Sequence, residues 1–187
     1  MKSGVRALGV AESYRGDDST LAGAVVRASR VVDGLAYETC TVGGTDATDA
    51  IVQLFHALNR EDVRYLLLAG IALSWYNVVD LRRLHEELGH PVISVTFEES
   101  PGLDAALEAE FEGEDLETRR ETLHAQPPRE RLVVNDQTVF VRAVGIEDSE
   151  ARDVVRGFTP EGGRPEPLRV ARFAARAGDE LRRNTKQ

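Results

Sequence analysis

The chain has 187 residues and one cysteine, so it is long enough to bury the core of one domain, and a disulfide framework or a cysteine zinc cluster is excluded. Its longest apolar runs are too short to span a bilayer and its first residues lack a secretory leader, so we expect a cytoplasmic protein with no membrane partner. A net charge of −9 argues against a broad basic surface that holds nucleic acid by charge alone.

The positive charges of the chain are almost all arginine. Of its 23 Lys and Arg residues only Lys2 and Lys186 are lysines, which leaves 23 − 2 = 21 arginines against 32 acids. An acidic surface nearly free of lysine is typical of proteins that work at high internal salt, where charge repulsion is screened within about 3 Å at 1 M. We therefore predict a halophilic protein. A GC-rich coding sequence in an acidic mesophile is the alternative, since it also favours arginine and alanine.

Residues 5 to 41 contain three short β-prone runs that are separated by turn signals. The runs VRALGVA, TLAGAVVRA and LAYETCTV predict a three-stranded antiparallel unit. After GGT, the segment DATDAIVQLFHAL carries apolar residues at helical spacing, with Thr45 as a candidate cap. The pattern therefore changes from strands to an amphipathic helix.

The next segments predict a strand, a helix and a second strand. VRYLLLAGIAL is a continuous apolar run, typical of a strand covered on both faces. VVDLRRLHEELG returns to the helical period and ends at Gly89, and PVISVTF is the next buried strand. This order predicts an α/β fold with a mixed sheet and helices on its faces, in which the first strand lies beside the strand at 63 to 69.

The second half of the chain predicts four helices and a hairpin. SPGLDAALEAEF and LETRRETLHA predict two helices, and RLVV and TVFVRAV predict a C-terminal β-hairpin that turns at NDQ. DSEARDVVRGF and PEPLRVARFAARAGDELRR predict the closing helices, with the loop TPEGGRP between them. The last residues, RRNTKQ, are expected to be frayed.

Several stretches resemble known nucleases. The order β-β-β-α-β-α-β is that of the ribonuclease H-like core, and GVAESY resembles the first strand of endonuclease V, in which G-V-D-x-S-Y carries a metal-binding aspartate. AGIALSWYNVVD resembles the motif D-G-I-x-x-x-x-F-N-V-V-D of the archaeal endonuclease dU family, and VGGTDATDAI and PEPLRVA resemble that family's helix entry and final helix. The resemblance implies one ribonuclease H-like, endonuclease V-like domain over residues 1 to 187.

The same resemblance implies a metal-dependent endonuclease for deaminated, uracil-type DNA, with Mg²⁺ or Mn²⁺ as its cofactor. In such enzymes carboxylates at adjacent strand ends hold the ion, which activates water and stabilises the leaving oxygen. Here Ala11 and Ala69 stand where the resemblance expects the two strand aspartates, and Gly163 stands where endonuclease V has a histidine. Because a methyl group cannot bind Mg²⁺, the sequence argues against catalytic activity.

Three functions therefore stay open. In the first, Glu12 and Asp46 are the catalytic candidates and form a displaced metal site with Asp80, although alternation along the strand points Glu12 away from the face of residue 11. The structural alternatives are an ordinary exposed acid at residue 12, and acids at residues 46 and 80 that only favour the starts of helices. In the second, a binding module keeps the groove without hydrolysis. In the third, the same face binds a protein partner.

The remaining candidates are polar and aromatic residues at strand ends. Trp75 and Asn77 follow a central strand, where open α/β sheets bind ligands, and Ser13 and Tyr14 end the first strand. An aromatic ring there would stack on a base while Asn77 hydrogen-bonds its edge. Packing of Trp75 and Tyr76 under the next helix is the alternative. We predict DNA or single-stranded nucleic acid as the partner of these four positions, and a homo-oligomer stays open.

Overall fold

The computed structural model of the chain describes residues 1 to 185. Its strands are, in chain order, β1 (Arg6–Tyr14), β2 (Asp18–Arg27), β3 (Val32–Thr41), β4 (Val63–Leu68), β5 (Ala72–Leu73), β6 (Asn77–Val78), β7 (Val92–Thr96), β8 (Glu130–Val134) and β9 (Gln137–Val144). Its helices are α1 (Ala47–Leu58), α2 (Leu81–Leu88), α3 (Asp104–Glu110), α4 (Gly113–His124), α5 (Asp148–Gly157) and α6 (Glu166–Thr185). Seven strands form one mixed sheet in the order β3-β2-β1-β4-β7-β9-β8, and β5 and β6 form a separate ribbon. None of the described helices is long and apolar enough to cross a membrane.

The first three strands form the antiparallel unit that the sequence predicts. β1 pairs with β2 in a register that sets Ala11 opposite Ala22, and β2 pairs with β3. The helix α1 follows, but its N-cap position is occupied by Asp46. The predicted Thr45 cap is wrong, since the helix starts one residue later, after Asp46, whose carboxylate accepts hydrogen bonds from the backbone N–H and the hydroxyl of Thr41.

β4 lies parallel to β1, as the sequence predicts, and this brings two alanines side by side. Val10 pairs with Leu68, and the Ala69 N–H donates to the Val10 carbonyl at 3.1 Å. Ala11 and Ala69 are the next residues along these two chains, so they lie at the spacing of neighbouring strands, about 5 Å. The predicted proximity of the two alanines is therefore confirmed.

β4 is shorter than the apolar run VRYLLLAGIAL suggests. The strand ends at Leu68, and Gly70 then takes a φ of 101°, a value that an L side chain rarely adopts. The rest of the run turns away into the ribbon of β5 and β6, which brings Ser74 into hydrogen-bonding contact with Glu12 near the end of β1. The expectation of one continuous strand is therefore wrong beyond residue 68.

The second half of the chain widens the sheet. β7 lies parallel to β4, with α2 in the connection between them, which confirms the predicted βαβ unit. The predicted hairpin of β8 and β9 turns at Asn135 and Asp136, both of which have a left-handed backbone, with φ of 47° and 62°. β9 pairs antiparallel with β7, so Arg142 lies opposite Ser94. The hairpin is therefore part of the main sheet.

The final helix closes one face of the sheet over β1 and β2. Gly9 lies directly beneath its start, where an added Cβ would overlap the backbone of Pro167, so the close approach requires glycine. The helix continues to Thr185, and the predicted fraying is wrong up to that residue. Lys186 and Gln187 lie outside the described residues.

Alternation along the strands divides the core into two layers. Leu8, Val10 and Leu66 face α1 and α2 on one side of the sheet. Ala7 and Leu67 face α5 and α6 on the other side. Both layers are needed because the central strands are parallel and covered on both faces. Neighbouring residues at a strand end therefore project to opposite sides of the sheet.

Candidate functional site

A groove opens at the carboxyl ends of the three parallel strands. It encloses about 770 Å³, and residues from β1, from the segment after β4 and from β7 line it, among them Ala11 and Ala69. Ala11 is buried against Ala24 and Ala171, and Ala69 packs against the same small cluster. This is the position where open α/β sheets bind ligands.

The strand ends do not fit a divalent ion. Mg²⁺ and Mn²⁺ take oxygen ligands, and the side chains that project at these two neighbouring positions are the methyl groups of Ala11 and Ala69. Among residues 1 to 185 no three histidine, cysteine, aspartate or glutamate side chains are grouped as a metal site would need. The chemistry of this groove is therefore set by other residues.

Glu12 projects to the side of the sheet opposite Ala11, as alternation predicts. Its carboxylate accepts a hydrogen bond from the Ser74 hydroxyl, and the Cys40 thiol donates to the same hydroxyl at 3.6 Å. Burial raises the pKa of Glu12 above its ordinary value, although the hydrogen bonds from Ser74 act in the other direction. Glu12 therefore links the groove to the segment that carries Trp75.

Asp46, the second catalytic candidate, is held in a network at the start of α1. Its carboxylate accepts hydrogen bonds from the Thr41 hydroxyl at 2.9 Å and from the Asn77 amide at 2.7 Å. Burial raises the pKa of Asp46, but these hydrogen bonds outweigh burial and leave the pKa below its ordinary value. Asp46 is thus an ionised carboxylate with a role in fixing the local chain.

Asp80 begins the helix α2. Its side chain accepts hydrogen bonds from the backbone N–H groups of Arg82 at 3.0 Å and of Arg83 at 3.1 Å, which is the geometry of an N-cap. The structure gives each of the three metal candidates, Glu12, Asp46 and Asp80, its own set of protein partners. It does not bring them together as one set of ligands.

Asn77 is fully buried, and this contradicts its expected contact with a base. Its amide oxygen accepts from the Ala47 N–H at 3.0 Å, and its amide nitrogen donates to the Thr41 carbonyl at 2.9 Å and to Asp46. The amide oxygen and both amide N–H groups are thus engaged within the protein. Asn77 therefore joins β3, α1 and the ribbon, and it has no free group for a ligand.

The turn between β5 and β6 has an unusual backbone. Ser74, Trp75 and Tyr76 have φ values of 46°, 61° and 56°, which are left-handed for three successive non-glycine residues. Such a conformation costs about 1–2 kcal/mol per residue. Strain of this kind persists only where the surroundings hold it, and it is concentrated at functional sites.

Arg119 of α4 holds this turn from beneath, and sequence reasoning missed it. Its side chain is only 4% exposed, and its guanidinium donates to the carbonyls of Tyr76 at 3.3 Å, of Gly44 at 3.1 Å and of Gly43. The Gly43 N–H in turn donates to the Ser74 carbonyl at 2.8 Å. The charged, buried Arg119 thereby supplies the hydrogen bonds that keep the strained turn in place.

The turn presents an aromatic surface beside the groove, next to the groove-lining Glu12 that Ser74 binds, and we call this surface the rim; its rings do not line the groove itself. Trp75 is 47% exposed and its ring meets that of Tyr76 edge to face, with ring centroids 5.5 Å apart. Tyr14 is 37% exposed, and burial, together with the nearby charge of Glu12, raises its pKa. This exposure excludes packing beneath the next helix for Trp75, whereas Tyr76 is half-buried and packs against the core and Phe111.

Ser13 does not belong to this aromatic rim. It faces α6, on the side of the sheet opposite Tyr14, and its hydroxyl donates to Asp179 at 3.4 Å. The expectation that Ser13 borders the same cleft as Tyr14 is wrong, because adjacent residues of a strand project to opposite faces.

Four arginines line the groove, and sequence reasoning did not single out any of them: Arg129, Arg142, Arg164 and Arg172. Two of them lie over aromatic rings, Arg129 at 4.2 Å from the centroid of Phe140 and Arg164 at 3.8 Å from that of Phe97. They come from separate segments, so no local motif marks them among 21 arginines. We name this part of the groove the arginine cavity.

The order of the sheet and the position of its groove define the class of the protein, a ribonuclease H-like fold of the endonuclease V type. The crystal structure of Ciona intestinalis endonuclease V in complex with inosine-containing DNA is similar, with a TM-score of 0.64 at 13% identity, over 96% of this chain and 87% of that chain. This similarity confirms the predicted fold class.

Sequence comparison then gives the family. Residues 3–178 match the family model described as endonuclease dU, and the chain belongs to this family. A UPF0215 protein of Methanopyrus kandleri is 33% identical over 181 residues, which cover 94% of this chain and 91% of that protein. A crystal structure of a protein of unknown function from Archaeoglobus fulgidus has a TM-score of 0.83 at 27% identity, covering 92% of this chain and 97% of that chain. The family predicted from the sequence motifs is confirmed.

Proposed function

We propose that this chain is a nucleic-acid-binding member of its family that holds its ligand without metal-dependent hydrolysis. One observation carries the proposal: Ala11 and Ala69 lie side by side at the strand ends, and four arginines line the groove above them. Without oxygen ligands a site cannot hold Mg²⁺ against its hydration shell, whereas guanidinium groups bind phosphate oxygens directly.

The exposed rings on the rim supply the second part of the proposed binding mode. Tyr14 and Trp75 offer flat surfaces on which unpaired bases stack, and each base–aromatic contact contributes roughly 1–3 kcal/mol. Stacking of this kind tolerates any base. The strained turn that carries Trp75 keeps the ring exposed before a ligand arrives, so little ordering entropy is lost on binding.

Deaminated DNA is the first ligand to test. The family description names dU, and the Ciona intestinalis endonuclease V was crystallised with DNA that contains an inosine. We infer that uracil-containing single strands bind this chain, with the phosphate backbone in the arginine cavity and unpaired bases on the rim.

Titration of labelled oligonucleotides tests the proposal. We expect Trp75→Ala to weaken single-strand binding by about ten- to a hundredfold, which corresponds to the loss of one stacked base. Tyr37→Ala is the matched control, because Tyr37 is also 47% exposed but lies on β3. The titrations are run at low and at molar KCl, since the composition predicts a halophilic protein. Equal affinity of the wild type and Trp75→Ala would contradict stacking on the rim, and no binding by either would favour a protein-interaction module.

Metal-dependent cleavage of deaminated DNA is the second candidate, and family membership favours it. It would require Mg²⁺ or Mn²⁺ on carboxylates outside the strand-end positions of Ala11 and Ala69, with Glu12 and Asp46 as the candidates. Robust nicking of uracil-containing DNA that depends on added Mn²⁺ and is abolished by Glu12→Ala would favour this candidate over non-hydrolytic binding. We expect no such nicking.

A further inference from the structure

We propose that the arginine cavity binds the phosphate monoester at the end of a nucleic-acid strand. This inference rests on the proposed function and names the chemical group that the groove recognises. It differs from backbone binding in general, because a strand that ends in a phosphate group would be preferred over the same strand without it.

The four arginines approach the strand ends from both faces of the sheet. Arg142 lies on β9 opposite Ser94, and both side chains project to the face that carries α1 and α2. Arg129 joins this wall through its contact with Phe140. Arg164 and Arg172 come from the loop before α6 and from α6 itself, on the other face of the sheet. A group bound between the two pairs meets guanidinium groups on two sides.

These guanidinium groups have no carboxylate partner in the part of the chain that the structure describes. Arg129 donates to the Ser100 carbonyl at 3.2 Å, and Arg142 donates to the Pro127 carbonyl. Both contacts orient a side chain without neutralising its charge. Most other arginines of this acidic protein are paired with acids, so four without such partners in one cavity are unusual.

Mutual repulsion accompanies this arrangement. Burial lowers the pKa of Arg142, and the charge of Arg129 lowers it further. Burial likewise lowers the pKa of Arg164, with Arg172 and Arg176 adding to the effect. Like charges held together in a partly buried site repel one another, and an anion bound between them relieves that repulsion.

Three carboxyl groups also line the cavity, but two of them are engaged. Glu12 accepts its hydrogen bond from Ser74 on the side of the sheet opposite Ala11. Asp104 is bound to His124 at 2.6 Å. Glu98 is exposed on the loop after β7. The positive charge of the four arginines therefore predominates.

The size and charge of the cavity favour a strand end. The groove that contains it has about 770 Å³, within the range of about 300–1,000 Å³ that is typical of small-molecule sites, which is room for one terminal nucleotide. A phosphate monoester carries about −1.5 to −2 charges at pH 7, more than the single charge of an internal phosphodiester. Contact with Phe97 and Phe140 restricts two of the guanidinium groups, which lowers the entropy lost on binding.

Direct comparison of matched oligonucleotides tests the inference. Single strands of one sequence are prepared with a 5′-phosphate, with a 3′-phosphate and with hydroxyl groups at both ends, each labelled away from the end under test. We expect one phosphorylated form to bind about ten- to a hundredfold more tightly than the hydroxyl form, and uridine monophosphate to compete with it.

Two variants remove one guanidinium from each wall. Arg172→Gln and Arg129→Gln are each expected to reduce the preference for a terminal phosphate by about tenfold or more. Arg156→Gln is the charge-matched control. Arg156 is exposed at the end of α5, and its neighbour Gly157 lies against Met1, which precedes the start of β1. This position is at the opposite end of β1 from the groove. Circular dichroism of each variant checks that the fold is retained.

The outcomes separate this inference from the proposed function. Equal affinity for all three oligonucleotides, with binding that still depends on Trp75, would overturn the terminal-phosphate site and leave nucleic-acid binding intact. A preference that persists unchanged in Arg172→Gln and Arg129→Gln would also overturn it. Absence of binding to any oligonucleotide would overturn both.

Discussion

Replacing Arg119 with methionine removes the guanidinium that holds the turn at residues 74 to 76. Methionine keeps much of the buried volume and loses the hydrogen bonds to the carbonyls of Gly43, Gly44 and Tyr76. We expect the turn to leave its left-handed conformation and Trp75 to lose its fixed position on the rim.

The magnitude follows from two opposing contributions. A hydrogen bond from a charged donor contributes about 1.5–3 kcal/mol, so three lost bonds amount to about 5–9 kcal/mol. Relaxation of three left-handed residues releases about 1–2 kcal/mol each, or about 3–6 kcal/mol. With the middle of each range, about 7 and about 4.5 kcal/mol, the net loss for Arg119→Met is about 2.5 kcal/mol, which lowers Tm by roughly 5–10 °C for a chain of this length.

Trp75 is the only tryptophan, so its fluorescence reports the turn directly. We expect Arg119→Met to change the emission under native conditions, to lower the urea midpoint and to weaken oligonucleotide binding. Arg120→Met is the control, because Arg120 is the next residue of α4 but lies on the surface with acidic partners. An unchanged emission and an unchanged urea midpoint in Arg119→Met would refute the claim that this side chain holds the turn.

Two further predictions concern the strand ends. The double variant Ala11→Asp with Ala69→Asp places carboxylates at two adjacent strand ends, so we expect Mn²⁺ to raise the Tm of the variant in a concentration-dependent way and to leave that of the wild type unchanged. An unchanged Tm in the variant would show that the two alanines are not what prevents metal binding. For Glu12, the folded protein binds more protons than the unfolded chain between the ordinary pKa of 4.5 and the raised value, so stability falls as pH rises through that interval. Glu12→Gln keeps an acceptor for Ser74 but cannot ionise. In thermal unfolding across pH, we expect this variant to be more stable than the wild type above the raised pKa of Glu12 and equally stable below pH 4.5. A constant difference in stability at every pH would contradict the ionisation of Glu12 as the cause.

The sequence by itself determined the order of elements and the lack of carboxylates at residues 11 and 69. Alternating apolar runs with turn residues between them specify β1 to β3, and helical spacing that ends at Gly89 specifies α2, because these signals are local. The adjacency of Ala11 and Ala69 followed from the parallel pairing that a βαβ connection imposes. Alternation likewise determined that Glu12 faces away from Ala11.

Only the tertiary structure decided which side chains reach the groove. Asn77 is buried because a strained turn reverses the chain before it, and that turn is held by Arg119. Arg119 lies 43 residues after Tyr76, and no local propensity of residues 74 to 76 anticipates it. The arginine cavity forms because β9 pairs with β7 and because the start of α6 packs on β1, which brings Arg142 and Arg164 to the ends of the same strands. Such contacts join residues far apart in sequence, and their energies depend on packing and burial, which a pattern of neighbouring residues does not contain.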